Sequence, residues 1–267
     1  MLVTGSALIA VLLIVLGKTG KLKLYKTSAA VVAMVMTAAV AGLYFAEGAR
    51  LLAAMGVKVT GLKGKEYEYV KIFGSTSKAA IVAKIILMIV CAVPSAAGLI
   101  YMAQALVRKA VIREGYEADN VYSARRAKAS AARGIAAAVG MIGAFALMVI
   151  LALPHLDELM QTMMIVLNPF ILLIFCLLTF GIALIPLTGY FLVINGVLFM
   201  VVSGLGAAAL VLYILSVIFG ISASAGAVKS GAISKGRGTV YGLLSLLAGW
   251  NIVVFFSLKK EISKNAG

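Results

Sequence analysis

This chain is poor in the residues that do chemistry in water: its 267 residues include one histidine, two cysteines and nine carboxylates. A zinc cage needs several ligands in fixed geometry, which a single histidine does not provide. Cys91 and Cys176 both stand inside apolar runs, where a thiol serves as a small hydrophobe, so no disulfide framework is expected. Acid–base work in lipid calls for paired carboxylates or histidines, and only the turn His155, Asp157, Glu158 comes near. A short hydrated turn accounts for that cluster, and we expect neither a metal nor catalysis. No cofactor is implied either. Gly204-Leu205-Gly206-Ala207-Ala208-Ala209 has the spacing of a dinucleotide loop, but no strand–helix–strand unit or acidic partner can surround it here.

Charge itself is missing over 70 residues, from Leu159 to Val228. As helix that run would extend roughly 105 Å against a hydrocarbon core of about 30 Å, which no soluble core needs. With 63% apolar and 12% charged residues the chain falls in the membrane class, and polar intervals of about 30 residues at most leave no room for a soluble domain. We therefore expect one transmembrane domain spanning 1–267. The net charge of +15 comes from Lys and Arg bordering apolar runs. Topology and anionic headgroups explain it, and nucleic acid is excluded because no aromatics interleave with the basic groups.

What is present is a series of apolar segments: Leu2 to Leu16, Thr27 to Ala46, Ala79 to Val107, Gly134 to Leu153, the long run, and Thr239 to Leu258. Lysines follow the first segment rather than precede it, so it reads as a membrane helix and not a cleaved signal. The interval 108–133 carries seven basic residues and is placed in the cytoplasm, while the turn after Leu153 carries none and faces out. That puts the N-terminus outside, the C-terminus in the cytoplasm and the interval 47–78 outside. Within this outer interval Glu66 to Phe73 is rich in β-formers, and Val57 to Thr60 supplies a partner across Lys63-Gly64. A small extracytoplasmic β-hairpin is the expectation.

The long run breaks at Pro186 to Gly189, at Asn195-Gly196 and at Ser203 to Gly206. Beyond Gly204, small residues recur at Ala208, Ser216, Gly220 and Ser224, the signature of a closely packed helix. The fold class is an all-α polytopic membrane protein of about seven transmembrane helices, six to eight depending on the path of 186–206. Inside and outside basic residues number 14 and 9 for either parity, so charge leaves that path open.

Three groups of candidate residues follow. Pro186, Thr188, Tyr190, Asn195, Ser203, Gly204 and Gly206 would line a pathway or a packing seam. Glu47 and Lys84, at similar depth on neighbouring segments, would form an ion pair. Arg113, Arg125, Arg126 and Lys128 would dock a partner or anionic headgroups, with Glu114, Glu117 and Asp119 folding back on them. Small-residue ladders (Ala132, Ala136, Gly140, Ala144; Gly238, Gly242) point to a non-enzymatic subunit or scaffold in a homo-oligomer or with other membrane subunits. The alternative is a small transporter or channel using the broken segment. Lack of an N-x-S/T sequon fits a bacterial or archaeal plasma membrane.

Overall fold

The structure, a computed structural model, describes residues 1–54, 59–60, 66–67, 78–115, 117–153 and 196–265. Among these residues there are seven helices: α1 (Leu2–Lys18), α2 (Thr27–Ala54), α3 (Lys78–Arg108), α4 (Asp119–Ala152), α5 (Gly196–Lys229), α6 (Lys235–Leu244) and α7 (Trp250–Asn265). Four stretches are long and apolar enough to cross a membrane: Thr27–Leu51, Ala79–Arg108, Asp119–Leu151 and Met200–Lys229. Their outward faces are apolar, with Ile89 and Val93 65% and 72% exposed, as expected of surfaces solvated by lipid tails. The chain is a helical membrane protein. Val59 pairs with Tyr67 and Thr60 with Glu66 in an antiparallel ladder, β1 (Val59–Thr60) with β2 (Glu66–Tyr67), and the remainder of the expected hairpin lies outside the described residues.

Two compact units are formed, Met1–Val11 with Ala38–Ala97 and Gly143–Leu210, and Leu12–Thr37 with Gly98–Ile142 and Val211–Gly267. In the first, α2 and α5 meet at glycine: a β-carbon on Gly42 would stand 3.0 Å from the carbonyl oxygen of Gly204, and one on Gly204 3.0 Å from that of Gly42. Tyr44 of α2 donates to the carbonyl of Met88 on α3 (3.2 Å), and the hydroxyls of Ser6 and Ser95 meet at 3.2 Å. In the second unit α4 and α5 run antiparallel. Gly140 accommodates Leu212, and Gly226 accommodates Ala127.

Several expectations are corrected. Ser203 to Gly206 does not break the chain; it lies inside the 34-residue α5. Glycine without proline keeps its backbone donor, so the helix continues and the missing side chains are used for close approach. The basic interval 108–133 is not a loop beyond Asp119, because its alanine-rich sequence propagates α4 from an acidic first residue. Thr239 to Leu258 does not form one crossing. It folds as two helices, α6 and α7, separated by Ser245 to Gly249, with Gly249 at φ +80°. Arg237 near the start of α6 lies 3.8 Å from Glu261 near the end of α7, so the pair doubles back and its polar ends share one side. The expected span count loses that segment.

Candidate functional site

Of the seven candidate pathway residues, Pro186, Thr188, Tyr190 and Asn195 lie outside the described residues. Ser203, Gly204 and Gly206 share α5, where Gly204 packs on α2 and a β-carbon on Gly206 would stand 3.7 Å from Sδ of Met148. Ser203 Oγ is buried without a partner among the described residues. Glu47 is 3% exposed, and its ion partner is Arg50 one turn on (3.9 Å) rather than Lys84, which is half-buried on α3. A partner on the same helix needs no match of depth between two elements.

The candidate docking arginines are engaged with each other's neighbours. Arg125 reaches Glu114 (3.2 Å) and Glu117 (3.3 Å), and Arg113 reaches Asp119 (2.8 Å) and lies over the ring of Tyr122 at 5.6 Å. Arg126 is half-buried and Lys128 exposed. These pairs tie the segment before α4 to its first two turns.

One residue that the sequence reading placed only among loop charges holds the second unit's polar end together. Arg133 is 3% exposed, and its guanidinium donates to three carbonyls: Leu106 and Ala110 at the end of α3, and Leu24 in the link between α1 and α2. Among the described residues no carboxylate pairs with it. Helix C-termini expose carbonyls that have no partner of their own and carry partial negative charge, so a planar cation with several donors satisfies both needs. Lys109 does the same for α1, donating to the carbonyl of Gly17 (2.7 Å).

A further buried polar constellation lies where α6 turns into α7 against α5. Asn251, 0% exposed, donates through Nδ2 to Oγ of Ser216 on α5 (2.7 Å), while its Oδ1 is buried without a partner among the described residues. Tyr213, one turn before Ser216, donates to the carbonyl of Leu246 in the turn (2.6 Å). Gly220 is required beside Ser245, since a β-carbon there would collide with that side chain, and Ser245 donates to the carbonyl of Gly242 (2.6 Å). Phe255 wedges between Gly220 and Gly134. The four-residue spacing of small residues on α5 thus marks the face that receives α6 and α7. From Lys229 at the end of α5 to Ser216 is 13 residues, or about 20 Å of helix.

Sequence signals for this site exist in Ser245, Gly249 and Asn251, three polar or breaking residues inside one apolar segment. Their meaning depends on Gly220 and Ser216 receiving them. Chemically, the arrangement offers amide, hydroxyl and carbonyl groups in a low dielectric and no nucleophile with a base. No protein family, curated protein or solved structure matches the chain.

Proposed function

We propose that the protein is a small membrane transporter whose ligand site is built on the discontinuous pair α6–α7 and the facing stripe of α5. The observation that carries this reading is Asn251, an amide with an unmatched oxygen at membrane depth. An unmatched buried polar group costs about 1–3 kcal/mol, and one held where a helix is broken is what transporters use to bind solutes. The ligand site then lies at 235–265 rather than at 186–206.

The reading extends to orientation and address. The segments Lys18 to Lys26, Arg108 to Lys128, Lys229 to Arg237 and Lys259 to Lys264 all belong to the second unit, which supports a cytoplasmic C-terminus beside anionic headgroups in a bacterial or archaeal plasma membrane. With α1 to α5 as crossings, the N-terminus lies outside, and the paired strands β1 and β2 belong to an extracytoplasmic hairpin. A non-enzymatic subunit or scaffold, as a homo-oligomer or with other subunits, is the second reading. It is favoured by Gly242, where a β-carbon would meet nothing within 4 Å among the described residues.

Single-cysteine labelling separates the two. In a Cys91→Ala, Cys176→Ala background, Asn251→Cys and Ser245→Cys should react with a charged, water-soluble thiol reagent in intact membranes. Complete protection of both positions from both sides, with a stable co-purifying partner, would reverse the order of the readings.

A further inference from the structure

Charge is distributed unevenly within the second unit. It holds seventeen basic residues and four carboxylates, and each carboxylate already faces an arginine: Glu114 and Glu117 face Arg125, Asp119 faces Arg113, and Glu261 faces Arg237. The link from α1 to α2 has no such compensation. Lys18, Lys21, Lys23 and Lys26 fall within nine residues, all four are exposed, and none forms an ion pair among the described residues. Four unneutralised cations so close together repel one another and attract an anion.

The link is also a fixed scaffold. Leu22 N–H donates to the carbonyl of Leu16 (3.0 Å), Leu24 N–H to that of Leu22 (2.9 Å) and Lys26 N–H to that of Lys23 (2.9 Å), while Arg133 holds the carbonyl of Leu24 and Lys109 that of Gly17. Leu24 is buried and Leu22 half-buried, which leaves the lysines between and beside them on the outside. Cations presented on a pinned backbone lose little freedom when a ligand binds. Exposed apolar residues flank them on both helices, Leu12 and Val15 on α1, Val31 and Val32 on α2, and the ring of Tyr25 is exposed within the link. An anionic headgroup joined to acyl chains matches this order of cationic, aromatic and apolar groups.

We infer that the α1–α2 link is a docking site for an acidic phospholipid, its phosphate held by Lys21, Lys23 and Lys26 and its acyl chains lying on the apolar flanks of α1 and α2. The site is independent of the transport reading. It also displaces Arg113 and Arg125 as headgroup contacts, because their charge is met within the chain. A soluble anion would satisfy the lysines and leave the apolar flanks unused.

The test uses the full-length protein in non-ionic detergent micelles, titrated with phosphatidylglycerol or with phosphatidylcholine of the same acyl chains. Native mass spectrometry reads the bound lipid, and the unfolding temperature reads the same binding through linkage. Phosphatidylglycerol should bind and raise the unfolding temperature, and phosphatidylcholine should do so far less. Lys21→Gln with Lys23→Gln should weaken phosphatidylglycerol binding about 25-fold, on the order of fivefold for each lysine, while Lys21→Arg with Lys23→Arg keeps it. Lys260→Gln with Lys264→Gln removes the same charge from the end of α7 and should keep most of the binding. Lys26→Gln alone, expected at about fivefold, carries the test if the double variant folds poorly. Equal losses from the link pair and the α7 pair would mean that net charge alone attracts the lipid, and would overturn the site. The same rise in unfolding temperature with inorganic phosphate would make the occupant a soluble anion and overturn it as well.

Discussion

The ring of Phe255 fills the space that Gly134 leaves open: a β-carbon on Gly134 would run into the ring at Cζ. Phe255 is fully buried, so it has little freedom to withdraw. Gly134→Ala should therefore destabilise by about 1–3 kcal/mol, the usual effect of overpacking. Adding Phe255→Leu should recover part of that loss in thermal unfolding. Purely additive effects of the two changes would show that the ring and the glycine do not share this space.

Gly42 and Gly204 make a sharper demand, because what a β-carbon would meet is a backbone oxygen at 3.0 Å and not a rotatable side chain. Alanine at either position should lower the unfolding temperature and loosen α2 from α5. Alanine at Gly143 or Gly242, where a β-carbon meets nothing within 4 Å among the described residues, should be neutral or gain up to about 1 kcal/mol from helix propensity. Equal effects at all four positions would contradict the crossing.

Arg133 and Arg113 carry the same charge and should behave differently. Arg113→Ala removes an ion pair whose partners are 54% and 69% exposed, worth less than about 1 kcal/mol. Arg133→Met strips the donors from three buried carbonyls, each costing about 1–3 kcal/mol when unmatched, and should lower stability far more. Arg133→Lys keeps the charge but loses the fork and should fall between them. A Lys variant as stable as the parent would mean that charge alone holds this end.

The doubled-back hairpin predicts sidedness. Lys128→Cys, Lys235→Cys and Lys264→Cys, each in the background free of native cysteines, should be labelled from the same face of intact cells or inverted vesicles. Labelling of the last from the face opposite to the first would restore Thr239 to Leu258 as a crossing.

Much of the helical framework could be read from residue order. The span expected from Ala79 to Val107 is found at Lys78–Arg108, and small residues expected to pack closely do so at Gly204, Gly220 and Gly140. Hydropathy reports the solvent of each segment directly, and a missing β-carbon reports a close approach. It does not report which helix approaches. The ladder on α5 serves α2 at Gly204, α4 at Leu212 and the α6–α7 hairpin at Gly220, three partners along one stripe. Arg133 was legible as a charge and not as a clamp, since its acceptors are backbone carbonyls 23 to 109 positions away, which no side-chain pattern marks.

By itself, the sequence determined the solvent and the helical class. Long uncharged runs are stable only in lipid, and in lipid a chain must satisfy its backbone within helices. Tertiary structure decided where the chain turns back and which polar groups face one another. The 20-residue uncharged segment from Thr239 to Leu258 suits a single crossing as well as a hairpin by length. The hairpin forms because Gly220 leaves room for Ser245, Ser216 accepts from Asn251, and Glu261 meets Arg237 at the polar end, contacts between residues distant in sequence that local hydropathy does not encode.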